Sequence, residues 1–351
     1  GAGEAFLNLS AGSTLLAKAT ASDHARAAGA TNFADEAGGM ATAMVGGLIA
    51  VGAGGDDDVE AGGVWNSSRF GDARMGVLGT SVVNVDILNA LDAEATGLRN
   101  VTGEGRARLV VDAGAAITVT ASGTDYADVT GAENVAVEGG SARSTFGGKV
   151  TAMATSANGE AEATGLSTLT DGAGNARTEL LSTASVTATS TATAPGAFAS
   201  AIGVGSEAEG TGDAYASSEA GSSIMSSATG GSGGAMAIGI GALGVNGNAT
   251  VITASDIVVN GSSTGDLNVV GALAQVNNGG MASLTMSGGS ISSTAGVPDT
   301  AIGLGTFTLG TGATYAVNAL GGSVSADIGV KTESEAGQTG TVMIGSGASI
   351  T

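Results

Sequence analysis

The chain has 351 residues, a net charge of −21 and a mean hydropathy of +0.30, and it contains 63 glycines but no cysteine. The charge argues against binding of nucleic acid or anionic lipid through phosphates, and the lack of cysteine excludes disulfides and thiolate metal sites. Aromatic residues make up 3 % of the chain, so large anchors for a compact core are scarce. We therefore expect stability from backbone hydrogen bonds between closely packed layers of small residues.

Charge divides the chain into two parts. Residues 1–177 hold ten of the eleven basic residues and form a more charged, β-rich N-terminal region, whereas residues 178–351 form a charge-poor region rich in Gly, Ala, Ser and Thr. Within the first region, residues 14–28 and 87–96 each follow a capping residue and end at a glycine, as short helices do. Both segments also alternate as strands do, so the two alternatives stay open.

An uncharged stretch at residues 37–55 has about the length of a membrane-spanning helix. Seven of its residues are glycine, and acidic residues flank it on both sides without a basic anchor. Similar uncharged runs recur at 220–255, 267–298 and 300–326. Runs this frequent indicate a property of the architecture, and we expect no membrane insertion.

Short segments of alternating polarity recur along the chain, as expected for strands. Clusters of Gly, Asn and Asp, which favour turns, separate them at intervals of roughly 8 to 14 residues. Clear examples of the alternation are residues 116–120, 134–137, 149–153, 250–253 and 323–328. The pattern predicts an all-β, elongated domain of the parallel β-solenoid or β-helix type, with a β-sandwich filament subunit as the alternative.

One internal repeat supports a solenoid. Residues 201–206 read Ala-Ile-Gly-Val-Gly-Ser and are followed by Gly-Thr-Gly and Tyr215; residues 301–306 read Ala-Ile-Gly-Leu-Gly-Thr and are followed by Gly-Thr-Gly and Tyr315. Weaker copies occur at 237–241 and 343–347. The unit resembles the head repeats of trimeric autotransporter adhesins. That resemblance implies a surface-exposed β-roll with isoleucine inward and glycine at the corners, although the copies lie farther apart than one turn of such a roll.

The strongest candidate for a metal site is an acidic cluster flanked by glycine. Asp56, Asp57, Asp58 and Glu60 place four carboxylates within five positions. Calcium binds six to eight oxygen ligands, and clustered carboxylates repel one another unless a cation screens them. These four residues are therefore candidate calcium ligands, with a solvated acidic loop as the alternative; no other cofactor is indicated.

Catalytic signals are weak. His24 is the one histidine, and its neighbours Ser22 and Asp23 do not form a catalytic triad by sequence adjacency. Paired carboxylates occur at Asp125 with Asp128 and at Glu207 with Glu209, and solvent-facing positions on strands or turns account for both pairs. We expect no enzymatic activity.

These observations predict a secreted, extracellular protein of the cell surface. The chain begins at Gly1 without Met, as a processed secretory product or a fragment does. Its charge-poor half favours contacts with copies of itself, so the leading hypothesis is a homopolymer, the structural subunit of a self-assembling filament, fibre or sheath. Residues 4–10 could serve as a donor strand. The alternative is an adhesin head on a cell or virion; ice binding is less favoured, because the Thr-x-Thr units lack constant spacing.

Overall fold

A computed structural model describes residues 3–192, 194–296, 299–310, 313–335 and 338–351. Within these ranges the chain forms 28 β-strands and no helix. Every strand pair is parallel, and each strand lies beside the strand one turn further along the chain. The molecule is therefore a parallel β-solenoid, of about nine turns.

Each complete turn, called a rung here, contributes one strand segment to each of three faces. The first face contains β1 (Glu4–Leu9), β4 (Met40–Val45), β7 (Ala73–Val77), β9 (Ala107–Val111), β11 (Ala142–Phe146), β14 (Ala176–Leu180), β17 (Ala214–Ser218), β20 (Ala249–Thr253), β23 (Met281–Met286) and the first parts of β26 (Thr314–Ser325) and β28 (Thr339–Ile350).

The second face is built from the strands that follow. It contains β2 (Thr14–Ala21), β5 (Leu48–Gly55), the first parts of β8 (Val82–Thr102) and β10 (Ala116–Ala136), β12 (Lys149–Ser156), β15 (Ser185–Ala192), β18 (Ser223–Thr229), β21 (Asp256–Ser262), β24 (Ser290–Ala295) and the ends of β26 and β28.

The third face completes each rung. It contains β3 (Ala25–Ala34), β6 (Asp58–Ser68), the second parts of β8 and β10, β13 (Glu160–Thr170), β16 (Phe198–Ala208), β19 (Gly234–Gly244), β22 (Leu267–Val276), β25 (Ala301–Thr308) and β27 (Ile328–Ser334).

The prediction of a parallel β-solenoid is confirmed, and the alternative of a β-sandwich is wrong. The helical alternatives are also wrong: residues 14–28 form β2 and the start of β3, and residues 87–96 lie within β8. Along β2, side chains alternate strictly between outward and inward. A strand places every second side chain on the same face, whereas a helix would spread these residues around its axis. Strand β14 crosses the compositional boundary at residue 177 without interrupting the stack.

The uncharged stretch at 37–55 forms β4 and β5. Among the described residues there is no helix that is long and apolar enough to cross a membrane. The segment considered as a donor strand is also accounted for within this chain, because β1 pairs in parallel with β4 over all six of its residues.

The core consists of columns of small or β-branched side chains, one residue per rung. On the first face, alanine stacks on alanine from Ala41 through Ala73 and Ala107 to Ala282. On the second face, a column of isoleucine and valine runs from Ile49 to Val324. Members of both columns are at most 2 % exposed. Small side chains suffice because the three faces approach one another closely.

A column of glycines on the third face shows how close this approach is. At each member from Gly29 to Gly303, an added Cβ would lie 2.2 to 2.7 Å from a methyl group of the isoleucine and valine column of the second face, and 2.3 to 2.8 Å from the carbonyl oxygen of the glycine one rung later. The pairing between rungs skips this position on both strands and keeps its register. The column consists of Gly29, Gly63, Gly97, Gly131, Gly165, Gly203, Gly239, Gly271, Gly303 and Gly329.

The glycine column explains the internal repeat. The copies at 201–206, 237–241 and 301–306 occupy the same place on the third face, and the first and last are three rungs apart. The weaker copy at 343–347 lies in β28 beside β26, on a different face. Residues 311–312, which belong to the second Gly-Thr-Gly, lie outside the described residues.

Buried asparagines form a ladder beside the glycine column. Asn32, Asn66, Asn100 and Asn134 recur every 34 residues, and each side-chain amide donates to the next side-chain oxygen at 2.7 to 2.8 Å. Asn66 and Asn100 also begin Asn-x-Ser/Thr sequences, but both side chains are fully buried. They therefore cannot accept a glycan in the folded state.

Substitution of Gly203 by alanine tests the glycine column. The new Cβ would lie 2.5 Å from both the Gly239 oxygen and an Ile224 methyl group, and we expect the free energy of unfolding to fall by about 1–3 kcal/mol. Gly205→Ala, two residues away on the same strand, meets nothing closer than 3.8 Å and should have little effect. Urea denaturation measures both. Equal losses for the two variants would contradict the assigned role.

Substitution of Asn100 by leucine tests the asparagine ladder. The change leaves the buried Asn134 oxygen and one Asn66 amide hydrogen without their partners, and we expect a loss of about 2 kcal/mol in the free energy of unfolding. The exposed Asn84, changed to leucine, is the control. A melting temperature of Asn100→Leu equal to that of the control would argue against the ladder as a stabilising element.

Candidate functional site

Outward side chains also stack in columns, because parallel strands in register place each residue directly above its equivalent in the previous rung. Neighbouring members are about 4.8 Å apart. A column therefore repeats one chemical group at a fixed spacing along the solenoid. Two charged columns arise in this way, one on the third face and one on the first.

The acidic column consists of Glu60, Glu94, Asp128 and Glu162 on the third face. Arg26 stacks beneath it and pairs with Glu60 at 3.1 Å. A second column of outward residues runs alongside and adds three acids, Asp58, Asp92 and Glu160, with Tyr126 between the last two. An open groove of about 620 Å³ lies between the two columns, at the end nearest His24.

Carboxylates stacked this closely disfavour one another's ionised form. Burial raises the pKa of Asp128 to about 6, and the neighbouring charges of Glu162, Glu94 and Glu133 add to that effect. Burial likewise raises the pKa of Glu162, with Glu160 contributing. The pKa of Asp92 is raised by burial and by the acids around it. Near neutral pH, the ionised carboxylates of the acidic column therefore repel one another.

The four candidate calcium ligands lie where β5 turns into β6. Asp56 and Asp57 occupy the bend, Asp58 and Glu60 begin the next strand, and the last two face basic residues of the previous rung. Asp58 lies 3.2 Å from His24 Nδ1, and Glu60 pairs with Arg26. Among the described residues, no three His, Asp or Glu side chains converge as a metal site. Calcium binding at these four residues therefore stays a prediction.

The residues considered for catalysis are dispersed. His24 is two-thirds exposed, with Nε2 4.0 Å from Asp23 and Nδ1 turned to Asp58. Asp128 belongs to the acidic column, whereas Asp125 is exposed where the chain turns onto the third face. Burial and the nearby Glu209 raise the pKa of Glu207.

The arginine column consists of Arg74, Arg108, Arg143 and Arg177, stacked on consecutive rungs of the first face. All four side chains are exposed. The column ends on Tyr215, whose ring centroid lies 4.3 Å from the guanidinium carbon of Arg177. More than a third of the basic residues of this acidic chain thus lie in a single line.

Sequence reasoning missed the arginine column, although a signal was present. The dipeptide Ala-Arg begins β7, β9, β11 and β14, at intervals of 34, 35 and 34 residues. The asparagine ladder has the same period of 34. A search of the sequence for a period near 34 residues would have found the arginine column and the asparagine ladder. The repeat of 100 residues spans three rungs and therefore does not reveal the length of one rung.

Carboxylates of the chain engage part of the arginine column. Glu179 lies between two consecutive members: Arg143 Nη2 is 2.6 Å from Glu179 Oε2, and Arg177 Nη2 is 2.7 Å from Glu179 Oε1. Although burial opposes the effect, both arginines hold the pKa of Glu179 below its usual value. Arg74 pairs with Asp72 at 2.9 Å. Within the described ranges, no carboxylate lies within ion-pair distance of Arg108.

Threonines stack on the second face without forming a continuous surface. Thr118, Thr151 and Thr187 share one column on consecutive rungs, despite their unequal sequence spacing. The exposed side chain of Met153 interrupts the neighbouring column. Thr193 lies outside the described residues. This patch does not provide the regular hydroxyl ranks that ice binding requires.

The acidic column makes stability depend on pH. Because the pKa of Asp128 is higher in the folded protein, the folded state binds this proton more tightly. The stability that the protonated Asp128 contributes is therefore lost as pH rises from 3.8, the ordinary pKa of this carboxyl, through about 6, its pKa in the folded protein. We expect Asp128→Asn to raise the free energy of unfolding by about 1–2 kcal/mol at pH 7.5 and to change it little at pH 4. Urea denaturation at both pH values, with exposed Asp171→Asn as control, tests this; equal effects at both would contradict it.

Comparison with known proteins finds no family model that matches the chain, no similar curated protein and no similar solved structure. The resemblance to autotransporter head repeats thus stays a prediction.

Proposed function

We propose that this chain is a structural, non-enzymatic subunit of a self-assembling extracellular filament, fibre or sheath, secreted to the cell surface. The observation that carries the proposal is the uneven charge of a continuous rod. Copies with a net charge of −21 repel one another. Only a surface with few charges allows them to approach closely.

The charge-poor half of the solenoid offers such a surface. Between residues 220 and 326 the charged side chains are Asp256, Asp266 and Asp299. On the second face, Met225 and Val258 stack on adjacent rungs and are 41 % and 40 % exposed. Thr187 and Ser292 flank them in the same column. Burial of exposed apolar side chains against another copy would stabilise lateral contacts.

An adhesin head that binds a surface ligand is the second candidate. The arginine column favours it, because a line of exposed guanidinium groups in an acidic protein is suited to recognition of anions. The two functions are compatible, since the arginine column and the charge-poor half lie on different rungs of the rod.

Charge introduced into the apolar pair tests self-assembly. We expect Met225→Glu combined with Val258→Glu to raise the concentration required for assembly about tenfold or more, because like charges would face one another across the contact. Sedimentation velocity and negative-stain electron microscopy measure assembly.

The matched control uses the same column of the same face. Thr118→Glu with Thr151→Glu adds the same charge on two adjacent rungs of the charged half and should leave assembly unchanged. A wild-type protein that stays monomeric at high concentration would exclude the proposal. An equal effect of both double variants would exclude the charge-poor half as the contact.

A further inference from the structure

The arginine column contains a carboxylate site that the chain itself fills at one end. Glu179 lies two residues after Arg177 on β14, and its carboxylate accepts hydrogen bonds from Arg177 and from Arg143 in the previous rung. Two guanidinium groups at the spacing of adjacent rungs therefore hold one carboxylate between them. The same strand register places Arg74 beside Arg108 and Arg108 beside Arg143.

The equivalent place between Arg74 and Arg108 has no carboxylate of the chain. The residue that corresponds to Glu179 there is Val110, and Gly76 precedes it in the same column. A groove of about 300 Å³ lies at this place, bounded by both arginines. Its other lining residues are mostly apolar, namely Met44, Met75, Gly76, Val77, Leu78 and Val110, with Thr42 and Asp112 completing it.

The charged residues that line the groove are Arg74, Arg108 and Asp112, two cations and one carboxylate. Arg108 is exposed and, among the described residues, has no ion-pair partner, whereas Arg74 uses one of its donors on Asp72. Two neighbouring guanidinium groups repel each other unless an anion lies between them. A ligand carboxylate would therefore gain two charged partners and relieve that repulsion.

We propose that the groove between Arg74 and Arg108 binds a uronate unit of an acidic polysaccharide, with the polysaccharide chain running along the solenoid axis. The carboxylate takes the place that Glu179 takes two sites further along, and the apolar floor packs against the C–H groups of the sugar ring. Consecutive rungs place the arginines about 4.8 Å apart, so one carboxylate reaches both of them, as Glu179 reaches Arg143 and Arg177. Duplex DNA, with one charge per roughly 1.7 Å, brings more negative charge than this acidic rod accommodates.

Val110→Glu is the sharpest test, because it installs in this groove the carboxylate that Glu179 provides at the other end. We expect Val110→Glu and Arg108→Gln each to weaken binding of an oligogalacturonate by roughly tenfold or more, as measured by isothermal titration calorimetry at fixed ionic strength. Thr285→Glu is the matched control: it adds the same charge in the same column, three rungs beyond Glu179, and should leave binding unchanged.

Three other polymers test whether the groove is selective for a uronate over a neutral sugar, an acidic peptide or a nucleic acid. Dextran, which lacks carboxylates, should not bind, and oligoglutamate and oligothymidylate should bind more weakly than oligogalacturonate. Absence of oligogalacturonate binding to the folded wild-type chain would overturn the proposal, as would equal affinity for oligoglutamate or oligothymidylate. Circular dichroism of each variant confirms folding, and the result does not depend on whether the chain self-assembles.

Discussion

The parallel, in-register hydrogen bonding between rungs is the constraint on which the rest of the molecule depends. It places every residue directly above its equivalent one rung earlier, on all three faces. On the third face the backbones approach so closely that a glycine carbonyl takes the space of a Cβ, from Gly29 to Gly303. A rod held together in this way needs little from large side chains, which explains a stable fold with so few aromatic residues.

The same stacking gives opposite results inside and outside the rod. Buried asparagines gain from it, because the amide of each side chain donates to the oxygen of the next. Ionised carboxylates lose from it: burial, together with the stacked acids, raises the pKa of Asp128. Guanidinium groups stacked at this spacing repel one another, and the carboxylate of Glu179 offsets that repulsion between Arg143 and Arg177. A column therefore amplifies the chemistry of the residue that it repeats.

Charge is distributed along the rod in a way that separates two roles. The arginine and acidic columns lie mainly in the rungs before residue 180, and the later rungs present Ser, Thr, Asn and scattered apolar side chains. In the proposed functions, the first part recognises an anionic ligand and the second part contacts other copies of the chain. The absence of any break at residue 177 makes the rod one continuous scaffold for both.

Composition and alternation determined the class of fold: many small residues, period-two segments and frequent turn residues leave a layered β-structure as the stable outcome. The Ala-Ile-Gly repeat even marked the glycine column at Gly203 and Gly303. Tertiary structure alone decided which residues share a column, because loops of unequal length separate the strands: Thr118, Thr151 and Thr187 stack although 33 and 36 residues separate them. It also decided that residues 14–28 and 87–96 are strands, since burial of one side against the neighbouring rung outweighs local helix signals. The arginine column, the nearest approach to a functional site, exists only once the rungs are stacked.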